Sequence, residues 1–209
     1  MSSEININTY FDKILYLNLE KDIDRNNNML NQFTKWGITN FERVDGIIVN
    51  EIPSKYLWRN FIKNDEKYIK GQLGCRESHL KAVKIARDRE YKRVLILEDD
   101  IEFQLDPNVL LNNNIGILDD WNMLYFGGLQ EDFFRNQIVC AHAYGVHFRV
   151  YEDIINMMIP SGMEGDNFYA KVIQHMSYNY NQSGKYNIRK IEPFDSVRQK
   201  QNIFKSNIQ

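Results

Sequence analysis

The stretch RVLILEDDIEF, Arg93–Phe103, places four consecutive aliphatic residues, Val94–Leu97, directly before three consecutive carboxylates, Glu98, Asp99 and Asp100. An unbroken aliphatic run of this length is the pattern of a strand buried on both faces, which belongs to a largely parallel sheet covered by helices. The carboxyl end of such a strand opens into the crevice where α/β proteins bind ligands. Three negative charges confined there repel one another and resist desolvation unless a cation compensates, and hard oxygen donors suit Mn2+ or Mg2+. The plain alternative is a solvated turn or a cap on a short helix. Alternation along an extended chain would turn Glu98 and Asp100 to one face and Asp99 to the other.

The flanking segments agree with an α/β reading. KILYLNL, Lys13–Leu19, is a buried first strand, and DRNNNMLNQFTKWGI places Met29, Leu30, Phe33 and Trp36 at helical spacing, with Asp24 as N-cap and Gly37 as the stop. FERVDGI, Phe41–Ile47, reads as a second strand, and a β-α-β opening implies a parallel sheet with right-handed crossovers. Residues 53–71 have mixed periodicity and allow one or two short helices within irregular structure. In GQLGCRESHLKAVKIARDREY, two glycines predict a loop, with a helix starting at Glu77 or Ser78 and an apolar face of Leu80, Val83, Ile85 and Ala86. The unpaired N–H groups of that helix start would attract phosphate beside Gly71 and Gly74, with Ser78 and His79 in the first turn. Ser78 as a cap and His79 as a packed imidazole are the alternatives. Farther on, a helix or loop follows Pro107, WNMLYFGG is a strand ending in Gly127 and Gly128, LQEDFFRNQ is a polar turn, IVCAHAYGVHF has strand composition and RVYEDIINMMI is helical. The remainder reads as loops around a short helix from Asp166.

Totals narrow the classes. A chain of 209 residues predicts one domain, and 28 acidic against 26 basic side chains give a net charge of −2, so no overall field exists to hold nucleic acid or an anionic membrane. Cys75 and Cys140 are too few for a zinc site of their own or a disulfide framework, and read as reduced, mostly buried thiols. No apolar run approaches the ~20 residues needed to span a bilayer, which points to a soluble, cytoplasmic protein, or to one domain of a larger one.

Several segments together resemble the family 25 glycosyltransferases, the group that includes lipooligosaccharide and collagen galactosyltransferases. They are ILYLNLEKDIDR, RVDGI, GQLGCRESHLKAVKIA, YKRVLILEDDIEF, WNMLYFGG, AYGVHFRVYEDII, GDNFY and the tail QNIFKSNI, in the family's order and over almost the whole chain. GCRESH followed by LILEDD is the specific pair. The resemblance implies a GT-A-like fold, with residues 1–105 holding the nucleotide sugar and residues 106–209 the acceptor and tail. It also implies a UDP-hexose donor, Mn2+ or Mg2+, inversion at the anomeric carbon, and a glycan, glycoprotein or collagen-like acceptor.

By the same resemblance, Asp100 is the direct metal ligand, Glu98 the next, through water, and Asp99 lies nearer the ribose. Leu17, Asn18 and Leu19 would read uracil through their backbone, Arg25 would touch ribose or phosphate, and Asp45 and Gly46 the nucleoside. The alternative for Arg25 is a surface ion pair with Asp22 or Asp24. Gly74, Ser78 and His79 would contact the donor. Inversion requires a general base for the acceptor hydroxyl; Asp166 is the candidate, with Glu164 its near competitor and a helix N-cap its structural alternative. His142, His147 and His175 are further titratable groups. Gly127 and Gly128 would leave room for a sugar ring, on which Tyr125, Phe126 or Tyr144 could stack. In the tail, Asn207 stands where the family commonly has Asp, and Arg198, Lys200 and Lys205 could fold over the diphosphate. Two other readings stay open: a non-catalytic nucleotide-sugar or glycan-binding module, and a metal-dependent phosphohydrolase.

Overall fold

The computed structural model describes residues 4–53, 65–131, 137–163, 165–174 and 186–200, without the side chains of 130, 131, 137, 166, 167 and 171. The order is α1 (Ile7–Tyr10), β1 (Lys13–Asn18), α2 (Ile23–Lys35), β2 (Phe41–Asp45), α3 (Glu66–Asp88), β3 (Arg93–Glu98), β4 (Ile101–Phe103), α4 (Pro107–Asn113), β5 (Met123–Tyr125), β6 (Leu129–Glu131), β7 (Gln137–Val139), β8 (Ala143–His147), α5 (Tyr151–Ser161), α6 (Gly165–Phe168), β9 (Ile188–Lys190) and β10 (Val197–Gln199). A π-helical segment, Tyr169–Gln174, continues α6.

Six strands form the central sheet in the order β2-β1-β3-β8-β5-β9. β8 runs antiparallel to both neighbours, and every other pairing is parallel. The sheet is thus mostly parallel, and it draws strands from both halves of the chain. The aliphatic run of β3 is continuous because both faces are covered. Val94 and Ile96 join a core with α3, α5 and α6, whereas Leu95 and Leu97 join the opposite core with α1, α2 and α4. The result is a helix–sheet–helix sandwich in which β3 is a central strand, flanked by β1 and β8.

The helix expected after β1 is α2, whose N-cap lies two residues before the expected one. Asp22 is its N-cap, Asp24 falls in its first turn, and Gly37 at φ +61° ends it as expected. The larger departure is α3, which runs unbroken for 23 residues through Gly71 and Gly74 and is capped by Asp65, whose side chain accepts from the Lys67 N–H. Glycine weakens a helix interior by about 1 kcal/mol, but at position 74 the sheet demands it: a Cβ would lie 2.5 Å from the Ile47 carbonyl oxygen. The glycine lets the helix approach the chain leaving β2. The polar stretch after Gly128 is not all turn, since β6 pairs with β7 as a hairpin. The late segment expected as loop supplies β9 and β10, and β10 pairs antiparallel with β4. Among the described residues, no helix is long and apolar enough to cross a membrane.

Candidate active site

The parallel strands β1, β2 and β3 end together. Asn18 is in register with Asp45, and Leu17 with Glu98, so Asn18, Asp45 and the Glu98–Asp100 triplet share one edge of the sheet. Strand alternation stops at Glu98, because Asp99 and Asp100 form the turn into β4. The three carboxylates therefore have different surroundings, but not those that alternation predicts. Asp99 is buried: Arg25 Nη1 donates to its Oδ1 and Asn18 Nδ2 to its Oδ2, each at 2.8 Å. The same guanidinium lies 3.5 Å from Asp100 Oδ2. Arg25 thus pairs chiefly with this cluster, and the charge of Asp22 adds to the pull of Asp99 and Asp100 on the guanidinium. Glu98 turns toward α3: His79 Nε2 lies 3.1 Å from its Oε1, and Gln199 Nε2 donates to its Oε2 at 2.7 Å.

Asp100 is the incompletely satisfied member. Among the described residues its buried Oδ1 has no hydrogen-bond partner, and neither has the side-chain oxygen of Asn18. Burial, then the charge of Glu98, with Asp99 adding to it, push the Asp100 carboxyl up to about 7 against the pull of Arg25. Asp99 is raised by burial despite Arg25 and Asn18. Burial would raise Glu98 as well, but the hydrogen bond and charge of His79, helped by His142 and Gln199, hold it below the usual carboxylate range. One guanidinium faces two carboxylates, and a buried oxygen points at no protein donor. The donors fit a hard divalent cation, with Asp100 as the carboxylate available to it. Both oxygens of Glu98 are engaged by protein, which suits a contact through water better than direct ligation.

The expected phosphate-binding helix start at Ser78 and His79 is not there. Both residues lie in the middle of α3, where backbone N–H groups are already paired within the helix. Ser78 Oγ instead donates to the Gly74 carbonyl at 2.7 Å and accepts from the Ile47 N–H at 2.8 Å, tying α3 to the chain after β2. His79 is buried and joins a chain of contacts: its Nδ1 is 2.7 Å from the Tyr144 hydroxyl, which is 3.1 Å from that of Tyr169. Both ring nitrogens of His79 thus have a partner, Glu98 at Nε2 and Tyr144 at Nδ1. Cys75, one turn earlier, is exposed rather than buried, with Sγ 3.8 Å from Glu98 Oε1.

Residues 11–152 match the model of glycosyltransferase family 25, described as an LPS biosynthesis protein family. The chain belongs to glycosyltransferase family 25. It is 29% identical over 129 residues to human (Homo sapiens) procollagen galactosyltransferase 2, covering 56% of this chain and 21% of that protein. It is 31% identical over 129 residues to a glycosyltransferase 25 family member of Drosophila pseudoobscura pseudoobscura, covering 56% of this chain and 20% of that protein. The chain thus matches about a fifth of the length of these relatives. A similar solved structure is that of a glycosyltransferase involved in the glycosylation of the major capsid of PBCV-1, at a TM-score of 0.46 and 12% identity, covering 77% of this chain and 74% of that one.

The remaining candidates of this family 25 chain divide into those near the cluster and those elsewhere. Leu17 is inside the sheet ladder between Val44 and Glu98, and the carbonyls of Asn18 and Leu19 accept from the N–H groups of Gly46 and Asp22. Asp45 is exposed and bonds Arg43, while its carbonyl accepts from Lys81. Gly127 and Gly128 do not make room for a sugar. A Cβ at Gly127 would fall on the Val197 carbonyl oxygen, and one at Gly128 would lie 2.7 Å from the Val139 carbonyl oxygen. Tyr125, Phe126 and Tyr144 are fully buried in the core and offer no stacking surface. His142 donates from Nε2 to the Val197 carbonyl at 2.9 Å, and His147 lies at the opposite end of β8 from the cluster. Arg198 pairs with Asp195, and the Lys200 side chain with Glu102 and Asn28, so these contacts turn both charges away from the triplet, while the Lys200 N–H donates to the Asp100 carbonyl at 2.6 Å. Asp166 lies in α6, which approaches α3 where Gly165 faces the Arg76 backbone; its side chain is outside the described residues, as are Glu164, His175, Lys205 and Asn207. Gln199 and Tyr169 are the participants that the sequence did not expose, and Tyr144, expected as a stacking surface, instead partners His79. Only a correct β10 and an unbroken α3 would have brought them to Glu98.

Proposed function

We propose that this chain is a divalent-metal-dependent, inverting hexosyltransferase, moving galactose or glucose from a UDP-sugar to a hydroxyl of a glycan or modified protein side chain. The observation that carries the reading is the buried, unpartnered Asp100 Oδ1 within the carboxylate cluster at the ends of β1 and β3. Membership of family 25 supports transfer over other uses of such a cluster. The name of one relative, procollagen galactosyltransferase 2, supplies galactose as the first sugar to test.

Within this reading the chain is one GT-A-like domain, with residues 1–105 directed to the donor and 106–209 to the acceptor. Asp100 holds Mn2+ or Mg2+, with Glu98 contributing through water. Such an ion supplies charge neutralisation for the departing diphosphate. Asn18 and Arg25 fix Asp99, and Arg25 shields part of the cluster's charge, so that Asp100 keeps its orientation with no reorganisation during turnover. His79 and Gln199 hold Glu98 ionised and in place. Asp166 is the proposed acceptor of the attacking hydroxyl's proton, since α6 docks against the helix that carries His79.

The test is UDP release with Mn2+ and a panel of UDP-hexoses, with and without glycan or hydroxylysine-type acceptors. Acceptor-stimulated release abolished by EDTA is expected. Saturable UDP binding without release would establish a binding module instead, release of inorganic phosphate a hydrolase, and EDTA-insensitive release would remove the metal from the reading.

A further inference from the structure

We propose a second cation site, for a thiophilic divalent ion of the zinc class, formed by Cys75, His79 and Glu98. Cys75 and His79 are four residues apart on α3 and so share one helix face, while Glu98 reaches them from the end of β3. Their Sγ, Nε2 and Oε1 atoms all lie within 4.8 Å of one another. Tetrahedral zinc with bonds of ~2.3 Å to sulfur and ~2.0 Å to nitrogen and oxygen would set S–O and N–O separations of about 3.5 and 3.3 Å. The present separations are 3.8 and 3.1 Å, so small side-chain adjustments close the site.

The supporting contacts are those of a metal centre. A ligating imidazole usually has its other nitrogen held, and here the Tyr144 hydroxyl is 2.7 Å from His79 Nδ1, itself backed by Tyr169. Gln199 holds Oε2 of Glu98, and the ion would take the place of the proton now shared between His79 Nε2 and Oε1. On binding, the Cys75 thiol proton would pass to solvent and the ion would replace the proton at His79 Nε2; the ring would keep its proton on Nδ1, donated to the Tyr144 oxygen, whose own hydroxyl proton turns to Tyr169. Exposure of Cys75 gives the ion a route in and leaves a fourth position to water. A thiolate and an imidazole select zinc over Mn2+ and Mg2+, so the site differs in chemistry from the Asp100 cluster although Glu98 borders both. Filled, it clamps α3 to β3.

The experiment uses the full chain and the metals alone, without nucleotide, and its outcome is independent of whether the chain transfers a sugar. Titration with Co2+ should give one equivalent of binding with a thiolate-to-metal charge-transfer band that Zn2+ removes by competition. Zn2+ should also raise the Tm. Cys75→Ser should abolish the band, weaken Zn2+ at least about tenfold and cancel the Tm rise; exposure of Cys75 means the variant keeps its fold, verifiable by circular dichroism. Glu98→Gln should weaken Zn2+ as well, whereas Cys140→Ser and Asp100→Asn should leave the band in place. No band in the native chain, a band that survives Cys75→Ser, or zinc binding that depends on Asp100 but not Cys75 would overturn the assignment.

Discussion

The carboxyl ends of β3 and β5 make an instructive pair. Both follow apolar runs in the same sheet, both end in small or polar residues, and both lie next to β8. At β5 the next elements close in: the Val197 carbonyl occupies the space beside Gly127, and His142 fills what remains. At β3 the later chain supplies the Gln199 side chain to Glu98 Oε2, the His142 carbonyl to the Glu98 N–H and the Lys200 N–H to the Asp100 carbonyl, yet among the described residues Asp100 Oδ1 is buried with no donor. A strand end thus becomes a candidate site when its polar groups exceed what the protein satisfies. Glycines beside a strand are no evidence of space, because another segment can require that space for its own backbone.

The comparison breaks most readily at Asp100. Asp100→Asn should reduce metal-dependent UDP release on the order of a thousandfold, if the oxygen left unpartnered by the protein is the one the reaction needs. The metal-free fold should be no less stable, since the substitution removes a carboxylate that its neighbours disfavour. Activity within about tenfold of the native chain would show that the β3 end is only a crowded turn. At β5 the expectation is reversed. Gly127→Ala should lower stability by about 3 kcal/mol or more in denaturant titration, because the clash is with backbone that cannot rotate away. An unchanged midpoint would mean that β10 does not cover this strand end.

Arg25 sharpens the contrast by showing how far the protein itself neutralises the β3 end. It reaches Asp99 at 2.8 Å and Asp100 at 3.5 Å, with its own side chain largely buried. Arg25→Ala should cost about 2–3 kcal/mol by leaving two shielded carboxylates without their cation. Added Mn2+ should restore part of that loss. A full loss with no metal response would place the charge balance wholly in the protein.

How much of this was legible depended on the range of the interactions. The run Val94–Leu97 announced a doubly covered strand because each of its residues reports its own burial, and the three carboxylates announced a charge problem at its end. The helix α3 was misread at its start. Gly71 and Gly74 look like loop residues by propensity, yet Gly74 answers to the Ile47 carbonyl, a contact 27 positions away in sequence that no local pattern encodes. That one error displaced Ser78 and His79 from helix interior to helix start, and hid the shared face of Cys75 and His79. β10 was invisible for a similar reason: three residues of which one, Val197, is apolar make a strand only because β4 lies beside them. Asp100 stood out in both views, because an excess of like charge can be counted without knowing the neighbours.

The opposite end of the same strand supplies the smallest and most discriminating test. Arg93, which begins β3, is in register with His147 of β8. Burial, then the charges of Arg149 and Arg93, lower the His147 imidazole to about 4. Between about pH 4 and 6.5 the unfolded chain therefore carries a proton at this histidine that the folded chain does not, so stability rises with pH through that window. Asp100, raised to about 7, behaves oppositely: from about pH 4 to 7 the folded chain holds a proton that the unfolded chain has lost, so stability falls as pH rises. Asp99, also raised, adds to the fall, whereas Glu98, lowered, acts only at more acid pH. The two ends of β3 thus tilt the metal-free stability profile in opposing directions. His147→Gln should leave a profile that falls more steeply toward neutrality, changing it by about 1 kcal/mol because the ring is partly open to solvent screening. Asp100→Asn should leave one that rises. Denaturant midpoints measured across pH 4.5 to 7 for the native chain and both variants decide the matter: identical slopes in all three would mean that neither end of the strand stores the charge imbalance its surroundings imply.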